Sequence, residues 1–230
     1  MNRTSAIVVN FHLEVNDTEQ GHYGPLKLQL TLHPEEPFSY TSARALAASH
    51  NFSEAIQIGP GWYDSREPTF YEIDPAGDLD KWVHVREIDK QAIKRLRTLK
   101  SKTTTARKTT TVRVYFYNVQ QVEKFCHSLR GSKENWIGNF QFYLISPTLV
   151  ETLDEEWESA ESDSRRNSRR SSRRISWDCC FVEGALYLSD RNTEKQFEGK
   201  IELLDMWNMY QQHLTFEGIS DQELHSTDLP

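Results

Sequence analysis

Strict alternation of apolar and polar residues is clearest near the start of the chain. In "YGPLKLQLTL" (23–32) Leu26, Leu28, Leu30 and Leu32 share one face, and "AIVVNFHLEV" (6–15) is also strand-like. The turn-rich "NDTEQGH" between them predicts an antiparallel hairpin. "KWVHVREID" (81–89) alternates too: Trp82, His84 and Arg86 face one way, Val83 and Val85 the other. Further strands are predicted at "VRVYFYN" (112–118), "NFQFYLI" (139–145), "CCFVEGALYLS" (179–189, with Glu183-Gly184 as a hairpin turn) and "GKIELLDMW" (199–207). The stretch "EAIQIGPGWYDSREPTF" (54–70) reads as a short strand plus loop.

Helical signals fall between these strands. Helix formers cluster at Ala43–Ala48 and end at Asn51. "DKQAIKRLRTLK" (89–100) is amphipathic with Asp89 as N-cap, and 119–131 is a helix closed by Gly131. Over 82–145 the order is strand–helix–strand–helix–strand, which implies a mostly parallel sheet with crossover helices. The expectation is an α/β fold: one mixed-sheet domain flanked by helices over 1–217, with an N-terminal and a C-terminal β-hairpin. Three segments fall outside this plan. "TLKSKTTTARKTTT" (98–111) reads as a flexible loop and the acidic 218–230 as a loose tail. "DEEWESAESDSRRNSRRSSRRIS" (154–176) reads as a disordered insertion, with six acids in its first half and six arginines in its second.

Composition narrows the function classes. The formal net charge of −7 argues against a surface that coats DNA generally, though not against a local basic patch. No apolar run approaches a membrane span, and the N-terminal stretch does not read as a signal peptide. Three cysteines, two adjacent, give neither a disulfide framework nor metal-ligand spacing. The expected setting is intracellular and cytoplasmic, or nuclear in a eukaryotic cell.

Five stretches in order, "LTLHPEE", "REPTFYEIDPAGDLDKWVHVREIDKQAIKR", "VRVYFYN", "NFQFYLI" and "VEGALYLSD", resemble the YaeQ family across nearly the whole chain. That resemblance implies a variant of the PD-(D/E)XK nuclease fold, restriction-endonuclease-like. In it, acidic groups from a helix and two strands converge on Mg²⁺ or Mn²⁺, which polarises phosphate and activates water. Carried over residue by residue, Glu36 matches the glutamate after His-Pro, and Asp74 falls within a residue of the strand-leading aspartate. These two would be the metal ligands. His84 stands where the family has Glu, and Arg86 where it has Gly and related nucleases place Lys. An imidazole suits Zn²⁺ or Mn²⁺ better than Mg²⁺. A guanidinium keeps the charge but cannot act as a base. The resemblance thus implies a nuclease fold with a degraded catalytic motif, acting as a nucleic-acid-binding or interaction module. The alternative is an active divalent-metal phosphodiesterase in which Glu87 replaces the lost carboxylate.

Two other signals bear on partners. From Lys90 to Arg113 there are nine basic residues and no acid. Lys90, Lys94, Arg95, Arg97, Lys100 and Lys102 make a candidate phosphate-binding stripe; the competing account is a solvated helix face. The repeat "RRNS", "RRSS", "RRIS" presents Ser168, Ser172 and Ser176 to basophilic kinases, which would make the segment a phospho-regulated adaptor arm.

Overall fold

The computed structural model describes residues 6–62, 64, 66–86, 91–95, 98, 110–129, 140–164 and 172–209. Lys90, Arg97, Lys100, Lys102, Ser168, Glu87 and the 218–230 tail lie outside the described residues.

The strands β1 (Ile7–Asp17) and β2 (His22–Leu32) form the expected hairpin, from Ile7↔Leu32 to Asp17↔His22. Helix α1 (Phe38–His50) follows, entered by a turn in which the Glu36 N–H donates to the His33 carbonyl at 3.1 Å. Then come β3 (Gln57–Ile58), β4 (Phe70–Ile73), β5 (Leu79–Val85), a helical stretch at 91–95, and β6 (Thr111–Phe116). Helix α2 (Val119–Ser128) is capped by the Asn118 side chain, which accepts from the Gln120 N–H at 2.8 Å. The chain continues through β7 (Gln141–Ile145), α3 (Pro147–Ser164), β8 (Ser172–Val182), β9 (Ala185–Asp190), β10 (Gln196–Gly199) and β11 (Ile201–Leu204).

The α/β class and both hairpins are as expected, but the strands divide between two mixed sheets. One has the order β10-β9-β8-β1-β2, the other β11-β7-β6-β5-β4-β3. The two hairpins do not extend the edges of the central sheet. They join each other, because β8 pairs with β1 in parallel, from Val8↔Ser172 to Asp17↔Phe181. The chain crosses between sheets at Lys200, whose carbonyl accepts from the Ser146 N–H at 2.9 Å. Gly199 leaves room there for Leu149: a Cβ would lie 2.8 Å from Leu149 Cδ2 and 3.0 Å from its Cβ, so any side chain would have to displace that leucine.

Helix α1 sits between the sheets, and eleven of its thirteen residues are buried. Its small side chains (Ala43, Ala45, Ala47, Ala48, Ser42, Ser49) let both sheets approach. Val9, Phe11, Leu13, Leu28 and Leu30 pack from one sheet, Phe70, Val83, Val85 and Tyr115 from the other. The far face of the six-stranded sheet carries a second core: Trp82, Val112, Val114, Phe116, Phe142, Ala92, Ile93, Val122, Phe125 and Cys126.

The expected disordered insertion at 154–176 needs correction. Residues up to Ser164 belong to α3, and those from Ser172 to β8. The acids hid a helical stripe, for Leu149, Val150, Leu153 and Trp157 recur near the 3.6-residue period and are buried. The arginines hid a strand, for Ile175, Trp177, Cys179 and Phe181 are its buried alternate positions. The expected loop at 98–111 is shorter at both ends: Thr98 is helical, and Thr111 opens β6. Among the described residues no helix is long and apolar enough to cross a membrane.

Candidate functional site

The carboxylates read as metal ligands sit at opposite ends of β5. Asp74 Oδ1 accepts from the Ala76 and Asp78 N–H groups, each at 2.9 Å, and so closes the turn between β4 and β5. This is an Asx turn, the ordinary chemistry of "DPAGD". The seven residues of β5 separate that turn from Arg86. At ~3.3 Å per residue they span about 23 Å. Asp74 therefore cannot share an ion with groups near Arg86. His84 is 1% exposed and pairs across the sheet with Val114, on the Trp82 face of β5. The His84 face is covered core, not an open cleft.

Arg86 lies just beyond the strand and turns toward α1. Its guanidinium carbon is 6.0 Å from the centre of the Tyr40 ring, and Nη1 donates to the Gly61 carbonyl at 3.3 Å. Gly61 can offer that carbonyl only because it lacks a side chain: a Cβ would lie 2.5 Å from the Pro68 backbone. Arg44, one turn along α1 from Tyr40, is 2% exposed. Its guanidinium packs 4.9 Å from the Tyr40 ring centre, and Nη2 donates to the Thr31 carbonyl at 2.9 Å. Tyr117, at the exit of β6, approaches Tyr40 at 6.1 Å between ring centres. Glu36 is half-buried, and its Oε2 accepts from the His33 N–H at 3.3 Å.

The electrostatics tie these groups together. Burial lowers the Arg44 pKa from its usual value, while Tyr40 and the Glu36 carboxylate act to raise it; Arg86 lowers it further. Burial raises the pKa of the Tyr40 phenol, against the pull of Arg44 and Arg86. Two guanidiniums, one carboxylate and a phenol thus converge beside the end of β5. Antiparallel pairing adds a carboxylate that the sequence reading passed over. The Thr69 N–H donates to the Val83 carbonyl at 2.8 Å, which puts Glu67, not Asp74, at the Arg86 end. Glu67 stands 3.9 Å from Arg95, whose guanidinium lies 5.6 Å from the Trp82 ring centre. The "REPTF" stretch held the signal, but only the pairing of β4 with β5 sets its register.

Of the remaining candidates, Lys94 is exposed on the helical stretch at 91–95. Ser172 is exposed at the start of β8. Ser176 is half-buried inside β8, and its carbonyl accepts from the Arg191 N–H at 2.8 Å. A kinase would have to strip that strand from its sheet to reach Ser176.

The other end of α1 carries a separate buried network. His50 Nδ1 lies 2.7 Å from the Tyr115 hydroxyl, which also accepts from Asn51 Nδ2 at 2.8 Å. Arg113 Nη1 donates to Asn51 Oδ1 at 3.0 Å. A neutral His50 can accept the Tyr115 hydroxyl proton through Nδ1, whereas an imidazolium cannot. Burial, reinforced by Arg113, His22 and Lys81 and opposed by Asp17, lowers the His50 pKa from 6.5 to about 4. Below about pH 6.5 the unfolded imidazole takes a proton that the folded one refuses. Stability should be unaffected by His50 above that pH and fall between 6.5 and 4, by at most about 3 kcal/mol. Urea unfolding at pH 7.5, 5.5 and 4.5 should show this loss, and His50→Gln should flatten it.

The implied metal centre does not fit the residues present. Among the described residues no three His, Cys, Asp or Glu side chains gather as an ion would need. Asp74 is spent on a turn, His84 lies in core, and a guanidinium stands beside Glu36.

Comparison with known proteins bears on the fold and the family. No curated protein matches the chain significantly. Among solved structures, the YaeQ protein from Xanthomonas axonopodis pv. citri is similar with a TM-score of 0.62 and 17% identity, covering 86% of this chain and 98% of that one. The YaeQ protein from Pseudomonas syringae is similar with a TM-score of 0.59 and 21% identity, covering 86% and 96%. The family model described as YaeQ protein matches residues 1–198, and the chain belongs to the YaeQ family.

Proposed function

We propose that this YaeQ-family chain is a nucleic-acid-binding module, which grips the phosphate backbone and does not cleave it with a metal ion. The observation that carries the reading is the placement of Arg86 against Tyr40 at the end of β5, in the same electrostatic cluster as Glu36 and Arg44. Such a cluster attracts phosphate oxygens by charge and by the forked geometry of guanidinium. Lys94 lies exposed on the helical stretch that follows β5 in the chain, and the sequence keeps adding basic residues to Arg113. Contacts of this kind fix position on a strand without reading bases.

The expected result is salt-sensitive binding of single-stranded or duplex DNA with little sequence preference. Three or four neutralised phosphates would give a slope of about −3 in log K against log salt. Lys94→Glu should weaken binding several-fold at low salt. Plasmid incubated with Mg²⁺ or Mn²⁺ should stay supercoiled. Nicking that depends on the metal and disappears in Glu36→Ala would overturn the non-cleaving part of the reading. Failure to bind DNA or RNA at low salt would overturn the rest.

A further inference from the structure

The cluster around Tyr40 differs from an open backbone groove in a way that bears on which phosphate it takes. Tyr40 is 4% exposed and Arg44 2%, while Arg86 is half-buried above them. Arg86 also donates to the Gly61 carbonyl, and the Tyr117 ring packs 6.1 Å from that of Tyr40. With Tyr40 and Arg44 buried, the cluster is recessed, and a recessed site admits the end of a strand more readily than a phosphate flanked by nucleotides on both sides. The charges agree with that geometry. Arg44 and Arg86 sit close enough to disfavour each other, and Glu36 offsets that repulsion. Among the described residues, Arg44 Nε is buried with no hydrogen-bond acceptor. A phosphomonoester carries up to two charges and three terminal oxygens, which suits two guanidiniums better than the single charge of an internal diester.

We propose that the Tyr40–Arg44–Arg86 cluster is a site for a terminal phosphomonoester, the phosphorylated end of a nucleic-acid strand, which displaces Glu36 as the counter-charge. Arg86 makes the direct contact. Arg44 acts from beneath through its charge and by holding the Tyr40 ring. No bond forms or breaks. The inference rests on the nucleic-acid reading above and names the part of the strand that this site takes.

The test compares one short single-stranded oligonucleotide carrying a 5′-phosphate with the same strand carrying a 5′-hydroxyl, by fluorescence anisotropy on the intact protein. The phosphorylated strand should bind about tenfold tighter. Millimolar inorganic phosphate should erase that advantage, and Arg86→Met should weaken both strands but bring the phosphorylated one down to the affinity of the 5′-hydroxyl strand on the same variant. Glu36→Gln should tighten binding of the phosphorylated strand alone, which assigns the site even if Arg86→Met proves unfolded by thermal melting. Equal affinity for the two strands overturns this inference and leaves backbone binding standing. Binding of neither strand overturns both. A preference that survives Arg86→Met in a folded protein overturns the assignment to this cluster.

Discussion

Trp157→Ala is expected to cost about 4 kcal/mol, the upper part of the range for deleting a large buried aromatic. For a chain of this size that lowers the melting temperature by roughly 10 °C. The Trp157 indole is 5% exposed and stacks on Phe38 with ring centres 4.3 Å apart and planes within 6°. Arg173 covers its other side, with the guanidinium carbon 4.4 Å from the ring centre. One side chain thus fastens the acidic helix α3 to the start of α1 and to the arginine-bearing start of β8. Its removal opens a cavity at the junction of three elements, and the backbone of two packed helices cannot collapse to fill it. Trp157→Phe keeps the stack on Phe38 and should cost less than half as much. Thermal unfolding of the two variants checks the ordering. A loose segment would give a change within about 0.5 kcal/mol for either variant, so that outcome would restore the reading of 154–176 as an insertion.

That segment shows where sequence reasoning stops. Composition treats every charge alike, so six acids and six arginines outweighed one tryptophan and the sparse apolar positions around it. The fold needs only one stripe of α3 and one face of β8, and charges on the remaining surface cost nothing because they stay hydrated. Where the whole pattern carried the signal, as in the alternating leucines of β2, the expected hairpin was found. The partition into two sheets was not legible. It follows from the parallel pairing of β1 with β8, residues about 160 apart, and no local pattern encodes such a partner.

The candidate site was legible in part for a similar reason. Resemblance pointed to Glu36 and Arg86, and the structure brings both to the Tyr40–Arg44 cluster. It also pointed to Asp74 and His84. "DPAGD" is a turn by its own residues, and recognising that turn would have shown β4 and β5 as a hairpin with Asp74 at its tip. Alternation put His84 and Arg86 on one face, but the strand ends at Val85 and the rule ends with it. Arg44 and Tyr40 were missed because an arginine within a helix of small residues reads as a surface position until a second sheet is known to cover it.

Arg44→Ala is expected to destabilise the protein by about 4 kcal/mol, comparable to breaking a buried charge network from one side. Three losses add up. The stem vacates space between α1 and the sheets, the Thr31 carbonyl loses a donor at 2.9 Å, and the Tyr40 ring loses the guanidinium against its face. Arg44→Met separates these, since it fills most of the volume and restores neither the donor nor the charge. Glu36 is half-buried and can be hydrated once its buried partner is gone, so the methionine variant should lose only about 2 kcal/mol. A methionine variant as unstable as the alanine one would mean that charge, not packing, holds α1 in place. Glu36→Gln should itself cost about 1 kcal/mol, because it removes the carboxylate that favours the charged Arg44 while the opposing charge of Arg86 remains. Combined with Arg44→Ala, that cost should vanish, giving a coupling of about 1 kcal/mol in a double-mutant cycle by urea unfolding. Strict additivity would separate Glu36 from Arg44 and remove the counter-charge on which phosphate displacement depends. A stability cost at Glu36 that accompanies tighter binding of a phosphorylated strand is what a site held ready for an anion should show, whereas a merely structural ion pair would show the cost alone.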